Sequence, residues 1–211
     1  MANNVARLRE LLAADVFTEA SVMNVLQGSA DSRYGIIKRA MKTGEIVRLK
    51  RGVYSFGPKL QKKGINLFQL AQTIYGPSYV SLESALSHHG WIPEGVFSVT
   101  NVSARRSKDV KTPLGVFSYA NIPSNDFWAG VERVDDANGV YLMATPWRAL
   151  ADYVYVHKLD WEGFEPVIGS LRVDPSRLQT AKNPLIEELE KATRSERVRV
   201  FLKGIRKECF T

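Results

Sequence analysis

The apolar positions of residues 4–56 change from a helical spacing to a strand-like spacing. Leucine and valine recur at the helical interval over residues 4–14, with Leu11 on the apolar side and Arg9 outside. Thr18 is placed to cap a second helix that ends near Leu26. The pattern therefore predicts two short amphipathic helices before the chain reaches its most basic stretch.

A third helix is predicted from Ser32 to Thr43, with one apolar side and one positively charged side. The apolar side consists of Ile36, Ile37, Ala40 and Met41. The opposite side consists of Tyr34, Gly35, Lys38, Arg39 and Lys42. Asp31 or Ser32 can cap the start of this helix, and Gly44 suits the left-handed residue that ends it.

After Gly44 the apolar spacing becomes two, as in a β-strand with one buried face. Val47 and Leu49 alternate with Arg48 and Lys50. The dipeptide at residues 51–52 has turn chemistry, and residues 53–56 form a β-rich return strand. Three helices followed by a hairpin with a basic tip are the layout of a winged helix-turn-helix, in which a helix enters the major groove of DNA.

The positive charge is concentrated in the same stretch. The 211 residues carry a net charge of +7, and residues 1–64 alone hold twelve Lys and Arg against five acids. The remaining residues are balanced, with 17 of each sign. Between residues 33 and 63 the ratio is ten basic residues to one acidic residue. Such a patch indicates a polyanionic partner, although a solvated surface that aids solubility is the alternative.

Residues 58–64 contain Gly, Pro and three Lys without apolar periodicity, which is typical of a linker. We therefore predict a DNA-binding domain at 1–57, a linker at 58–64 and a mixed domain at 65–211, an α+β protein overall. The lysines of the linker either only solvate it or lie along a duplex. In the mixed domain the pattern predicts strands at 96–102, 115–122 and 140–144, and helices near 67–74, 81–89, 146–155, 162–171, 183–189 and 196–210.

The candidate DNA-contacting residues come from the third helix and the hairpin. They are Ser32, Arg33, Tyr34, Lys38, Arg39, Lys42, Arg48, Lys50 and Arg51. Lys38 and Arg39 have the reach to contact guanine edges. The basic residues of the hairpin are expected to contact phosphates, and Arg51 to enter a minor groove.

A second basic segment lies in the otherwise neutral part of the chain. It comprises Arg105, Arg106 and Lys108, with Lys111 close behind. This segment is predicted to be a loop, which either contacts a nucleic acid or a partner, or is a solvated turn.

Residue patterns that would indicate catalysis, a cofactor or a metal are not found in the sequence. His88 and His89 have one other histidine, His157, so a structural role is expected for them. Asp135 and Asp136 precede Asn-Gly, which favours a hairpin over a cation site. We therefore expect a protein that is not an enzyme and that has no cofactor.

The compartment is predicted from cysteine content and hydropathy. Cys209 is the single cysteine, which excludes an intramolecular disulfide and fits a reducing compartment. The first residues, MANNVARLRELL, lack the apolar segment of a signal peptide, and no apolar run approaches the ~20 residues of a membrane span. A cytoplasmic protein without membrane contact is expected.

Three passages of the chain together resemble the AbiEi family of antitoxins from bacterial type IV toxin-antitoxin and abortive-infection systems. They are SRYGIIKRAMKTGEIVRLKRGVYSF at 32–56, YVSLESALSHHGWIPE at 79–94 and TPWRALADYV at 145–154. The resemblance implies a winged helix that binds inverted repeats in the promoter of its own operon and represses it. It also implies a second domain that counters a nucleotidyltransferase-like toxin without requiring a stable complex.

Two other functions stay open at the level of sequence. One is an enzyme whose second domain modifies a toxin or a nucleic acid, which would need acids such as Glu83 or Asp152 in a site. The other is an RNA-binding adaptor, which competition between duplex DNA and RNA would separate from a DNA-binding repressor.

Overall fold

Helices and two β-sheets make up the part of the chain that the computed structural model describes, residues 4–93, 95, 97–137 and 139–210. The α+β class predicted from the sequence is confirmed. We call residues 4–57 the head and residues 65–210 the body. The elements of the head are α1 (Asn4–Leu11), β1 (Val16–Thr18), α2 (Glu19–Val25), α3 (Ala30–Lys42), β2 (Ile46–Lys50) and β3 (Val53–Phe56).

The head is built from three helices that pack on a three-stranded antiparallel sheet of order β1-β3-β2. Each helix contributes one apolar side to a common core. The fully buried members of this core include Leu8, Phe17, Val22, Ile37, Ala40, Ile46 and Phe56. Thr18 caps α2 as predicted, because its side-chain oxygen accepts a hydrogen bond from the Ser21 N–H.

The start of α3 differs from the prediction by two residues. Its cap is Ser29, whose hydroxyl oxygen accepts a hydrogen bond from the Ser32 N–H at 3.2 Å, whereas Asp31 and Ser32 lie within the first turn. Gly44 has a φ of +74°, so the left-handed end of the helix is confirmed. The sequence predicted Asp31 or Ser32 as the cap and Ser29 as part of the turn before the helix, because the apolar periodicity of α3 begins only after Ser32.

Two expectations for the outer surface of the head were wrong. Arg9 is buried, because its guanidinium pairs with the carboxylate of Asp15. Leu11, by contrast, is 56% exposed. An ion pair with a residue beyond the helix is not visible in helical periodicity.

The hairpin of β2 and β3 contains a bulge. Arg48 pairs with Tyr54 and Lys50 pairs with Val53, so the register shifts between Arg48 and Lys50 and leaves Leu49 as the extra residue. Leu49 is 3% exposed. The bulge interrupts the simple alternation that the sequence predicted. The strand β1 pairs with β3 as a third strand, which the sequence analysis did not predict.

The body contains a six-stranded mixed sheet made of β4 (Ser78–Val80), β5 (Ser98–Ser103), β6 (Lys108–Thr112), β7 (Gly115–Asn121), β8 (Val131–Asp136) and β9 (Gly139–Ala144). The order of the strands in the sheet is β6-β7-β5-β4-β9-β8. The pairs β5–β7 and β4–β9 are parallel, and the other neighbours are antiparallel. Its helices are α4 (Leu67–Ile74), α5 (Leu82–His88), α6 (Pro146–Val156), α7 (Glu165–Leu171), α8 (Pro175–Leu178), α9 (Asn183–Ala192) and α10 (Glu196–Phe210).

Most of the body elements were predicted, and the misses have a common cause. The sequence located the strands that became β5, β7 and β9, although Val96, the predicted start of the first, lies outside the described residues. It missed β4, β6, β8 and α8, and it began α7 three residues too early. The missed elements are short or polar, so they carry little apolar periodicity.

The predicted linker is held against the head by a carboxylate. Both oxygens of Asp15 accept backbone hydrogen bonds, from the N–H groups of Lys62 at 2.9 Å, Lys63 at 2.8 Å and Gly64 at 3.1 Å. The same carboxylate lies 2.6 Å from Arg9 Nη1. Residues 62–64 therefore have a defined path, and a short 3₁₀ helix (Pro58–Leu60) precedes them.

Head and body also share a hydrophobic cluster. Leu49 and Val53 of the hairpin are buried together with Leu70, Ile74 and Phe117 of the body. The hairpin thus packs on the rest of the head through one set of residues and on the body through another.

Within the described residues, no helix has both the length and the apolar character that a membrane crossing requires.

Candidate nucleic-acid interface

The helix α3 presents a positively charged side to solvent. Lys38, Arg39 and Lys42 are exposed, and Tyr34 is 54% exposed. Within the described residues, none of the three cations pairs with an acidic side chain. Ile37 and Ala40 on the opposite side are buried, and they fix which side of the helix faces outward.

Ser32 and Arg33, at the start of α3, are partly committed to the turn that precedes it. The Arg33 guanidinium donates a hydrogen bond to the carbonyl oxygen of Gly28, and the Ser32 N–H donates to the cap. Arg33 is half-buried, whereas the Ser32 residue is exposed. Arg33 therefore stabilises the turn between α2 and α3 in addition to carrying positive charge near the helix.

The hairpin cations do not all face the same way. Arg48 and Arg51 are exposed. Lys50 is half-buried and donates a hydrogen bond to the carbonyl oxygen of Ile74 in the body. Burial lowers the pKa of Lys50, and the positive charges of Lys108 and Arg105 lower it further. Among the three predicted hairpin residues, Lys50 therefore contacts the body, whereas Arg48 and Arg51 are exposed to solvent.

Tyr54 connects the exposed sides of α3 and the hairpin. It is 7% exposed and pairs with Arg48 across the two strands. Burial raises the pKa of Tyr54, and the negative charge of Glu19 raises it further. The positive charge of Arg48 lowers this pKa, and Tyr34 adds a smaller increase. Tyr34 and Arg48 are therefore neighbours of one buried ring. Glu19 contributes one negative charge at the edge of this basic surface.

The second basic segment lies in the body, beside the hairpin. Arg105 and Arg106 are in the turn after β5, and Lys108 is the first residue of β6. All three are exposed. The predicted loop thus ends at Lys108, and Lys111 lies within a strand that pairs with β7.

A buried polar network in the body joins two of the passages that carry the resemblance. The carboxylate of Asp152 accepts hydrogen bonds from Ser81 Oγ at 2.7 Å, Tyr79 Oη at 3.0 Å and Arg148 Nε at 2.9 Å. Arg148 also donates to the carbonyl oxygen of Ala129 at 2.8 Å. Burial raises the pKa of Asp152, although Arg148, Ser81 and Tyr79 each act in the opposite direction.

This network was missed by sequence reasoning, and its geometry is that of a structural unit. Asp152 is 2% exposed and Arg148 is 4% exposed, so neither has the access to solvent that a substrate contact needs. The i, i+4 spacing of Arg148 and Asp152 on α6 was the available signal. Glu83 lies elsewhere, at the surface, with its carboxylate 3.3 Å from His157 Nε2.

The histidines and the paired aspartates have other roles in the structure. His89 Nε2 lies 3.0 Å from the carbonyl oxygen of Ala144, and burial lowers its pKa. Asp136 accepts a hydrogen bond from the Tyr141 hydroxyl at 3.0 Å, and it pairs with Gly139 in the predicted hairpin of β8 and β9. Among the described residues, no group of three or more His, Cys, Asp or Glu is arranged to hold a metal ion.

Two open cavities flank the segment between head and body. Their volumes are about 640 and 630 Å³, and residues 63–66 line both. In the first of these cavities the rings of Phe68 and Tyr141 are 5.4 Å apart and those of Phe68 and His88 are 5.6 Å apart. These rings pack on each other, so they form a wall of the cavity.

Comparison with known proteins gave no match to this chain, either among the models of protein families or among curated proteins.

Proposed function

We propose that the chain is a DNA-binding transcriptional repressor whose head is a winged helix-turn-helix. The observation that supports this most strongly is the one-sided exposure of Lys38, Arg39 and Lys42 on α3, opposite the buried Ile37 and Ala40. A 13-residue helix is about 20 Å long and fits the major groove. Arg48 and Arg51 then contact the DNA backbone or an adjacent minor groove.

The charge distribution supports a nucleic acid as the partner. The net charge of +7 lies within residues 1–64. Each Lys or Arg that neutralises a phosphate releases a counterion, so binding strength falls with salt. Lys38 and Arg39 lie on the exposed side of α3 and are the candidates for contacts with guanine edges.

The proposed target is duplex DNA with inverted repeats in the promoter of the chain's own operon. This proposal comes from the resemblance of residues 32–56 to the AbiEi antitoxins. Inverted repeats are bound by two copies related by the symmetry of the DNA, and occupation of the promoter represses transcription. The site of action is then the cytoplasm.

We further propose that the body is an antitoxin domain that counters a nucleotidyltransferase-like toxin without forming a stable complex. The support is the resemblance of the passages at 79–94 and 145–154. Tyr79 and Ser81 come from the first passage, Arg148 and Asp152 from the second, and they meet in one buried network. The resemblance therefore involves residues that act together in the folded body.

The repressor function is tested with the double variant Lys38→Ala, Arg39→Ala. The probes are the DNA upstream of the gene for this chain and a scrambled duplex of equal length. We expect the wild type to prefer the upstream DNA and the variant to lose that preference, with each lost base contact weakening specific binding by about 1–3 kcal/mol. The matched control is Lys203→Ala, Lys207→Ala, which removes two exposed cations from α10.

A double variant that keeps the wild-type preference would show that α3 is not the reading helix. A structured RNA that displaces the upstream DNA at equal concentration would favour the RNA-binding adaptor. The antitoxin function is tested by growth rescue, with the toxin and the chain expressed from separate promoters. The same double variant should still rescue growth, because its substitutions lie outside the body.

A further inference from the structure

Two segments that are distant in sequence bring positive charges together around Tyr75. The guanidinium carbon of Arg105 lies 5.7 Å from the centre of the Tyr75 ring, and Lys108 Nζ lies 5.8 Å from it. Lys50, from the hairpin of the head, donates a hydrogen bond to the carbonyl oxygen of the neighbouring Ile74. The result is a cluster of cations at the boundary between head and body.

The Tyr75 side chain also fixes the loop that carries these charges. Its hydroxyl donates a hydrogen bond to the carbonyl oxygen of Arg106 at 3.1 Å, and its ring packs edge-on against Tyr119 at 5.2 Å. Tyr119 is 3% exposed and is anchored in turn by a hydrogen bond to the carbonyl oxygen of Ala71 at 2.7 Å. The cluster is therefore attached to the buried core of the body.

Neutralising partners for the cluster are absent from the described residues. Within the described part of the chain, Lys50, Arg105 and Lys108 form no ion pair with an acidic side chain. The two charges from the body are near enough to Lys50 to lower its pKa, after burial. Cations held together in this way repel each other, and a bound polyanion would relieve the repulsion.

The location of the cluster indicates which polyanion. Lys50 directly precedes Arg51 at the hairpin turn, and Arg48 lies on the same strand. Arg51 is exposed at this turn, so the cluster adjoins, along the chain, the part of the head that carries exposed cations. A DNA duplex carries a regular row of phosphates, so a duplex held by the head presents further phosphates to cations beside the hairpin.

We propose that Arg105 and Lys108, together with Lys50, bind backbone phosphates of the duplex next to the segment that α3 reads. This inference rests on the proposed function of the head. It adds a contact from the body, so that both parts of the chain hold DNA. Lys50 uses one of its three ammonium donors on Ile74 and keeps the others for a phosphate oxygen.

The test is the double variant Arg105→Gln, Lys108→Gln, compared with the wild type and with Lys203→Gln, Lys207→Gln. Both variants lose two exposed cations, and thermal unfolding checks that both stay folded. Affinity for the upstream DNA and for a scrambled duplex is measured by fluorescence anisotropy at several salt concentrations. A second pair of probes compares a duplex that ends at the half-site with one extended by about 10 base pairs on each side.

We expect the variant at residues 105 and 108 to weaken binding at least about tenfold at low salt and to reduce the salt slope by about 1.8, for two phosphates at about 0.9 each. The preference for upstream over scrambled DNA should stay unchanged, because phosphate contacts carry no sequence information. The longer duplex should strengthen binding of the wild type and of the α10 control, but not of this variant.

A variant that keeps the wild-type salt slope and still gains from the longer duplex would overturn the inference while leaving the proposed function of the head intact. A variant with weaker binding to single-stranded RNA and unchanged binding to duplex DNA would also overturn it. If the wild type showed no preference for the upstream DNA, the proposed function itself would fail, and this inference with it.

Discussion

The carboxylate of Asp15 lies 2.6 Å from Nη1 of Arg9, and both residues are almost completely buried. The same carboxylate accepts hydrogen bonds from the three backbone N–H groups of residues 62–64. Arg9 in turn donates to the carbonyl oxygen of Leu12, and its guanidinium lies 4.1 Å from the centre of the Phe56 ring. One ion pair therefore joins the first helix, the end of the hairpin and the segment that leads to the body.

Replacement of Asp15 by Asn should destabilise the protein by about 3 kcal/mol, because it leaves the buried Arg9 charge without its partner. The measurement is urea unfolding at neutral pH. Asp135→Asn is the control, since its ion pair with Arg133 is more than half exposed and should change the free energy of unfolding by less than about 1 kcal/mol. Equal effects of the two substitutions would contradict the structural role of the Asp15 carboxylate.

The contribution of Asp15 should disappear in acid. Burial raises the pKa of this carboxyl, but the N–H groups of Lys62 and Lys63 and the charge of Arg9 lower it more, so it lies below its ordinary value. A carboxyl with a depressed pKa in the folded state stabilises the fold above its unfolded pKa of about 4. This stabilisation is lost as the pH falls through the folded pKa.

The corresponding measurement is urea unfolding of the wild type and of Asp15→Asn between pH 7 and pH 3. The difference in unfolding free energy should be constant down to about pH 5 and should shrink below about pH 4. A difference that stays constant to pH 3 would contradict the depressed pKa.

Removal of the α3 cap should cost stability at Ser29 and not at Ser32. Ser29→Ala takes away the oxygen that accepts the Ser32 N–H, and it should lower the free energy of unfolding by about 1 kcal/mol. Ser32→Ala leaves that hydrogen bond in place, because only the backbone of Ser32 takes part, so its effect should stay within about 0.5 kcal/mol. The reverse order would restore Ser32 as the cap, as the sequence allowed.

Gly57 should not tolerate a side chain, although its φ of −62° is open to any residue. A Cβ at this position would lie 2.1 Å from the carbonyl oxygen of Gly44, a backbone atom that cannot move aside. Gly57→Ala should therefore destabilise the protein by at least about 2 kcal/mol. Gly169→Ala is the matched control, since a Cβ there meets no atom within 4 Å and alanine favours the helix by up to about 1 kcal/mol. Thermal unfolding of both variants measures the two changes in stability.

The sequence predicted those features of the head that depend on local chemistry. Helical spacing located three helices, turn residues located the hairpin, and the exposed side of α3 carries the predicted Lys38, Arg39 and Lys42. These predictions succeeded because 3.6-residue and two-residue periods are strong where one face of an element is buried.

The sequence could not predict the features that depend on contacts between distant residues. The hydrogen bond from Lys50 to Ile74 and the pairing of Arg9 with Asp15 arise only when the chain is folded. The strand β6 was not predicted, because none of its residues is buried and its sequence therefore lacks the apolar alternation of a half-buried strand. The spacing of residues along the chain likewise does not indicate the contact of the basic turn at 105–108 with Tyr75. The proposed phosphate contacts of the body rest on this contact.

The burial of Leu49 and Val53 restricts how the hairpin can adapt to a ligand. A hairpin whose tip packs on nothing can change its angle to the rest of its domain at little energetic cost. Here a change of angle would expose both side chains, which lie against the sheet of the body, to water. Exposure of two such side chains costs roughly 3 kcal/mol or more. If the head binds DNA as proposed, adjustment must come from the DNA, and the bending stiffness of the DNA then becomes part of what the protein selects.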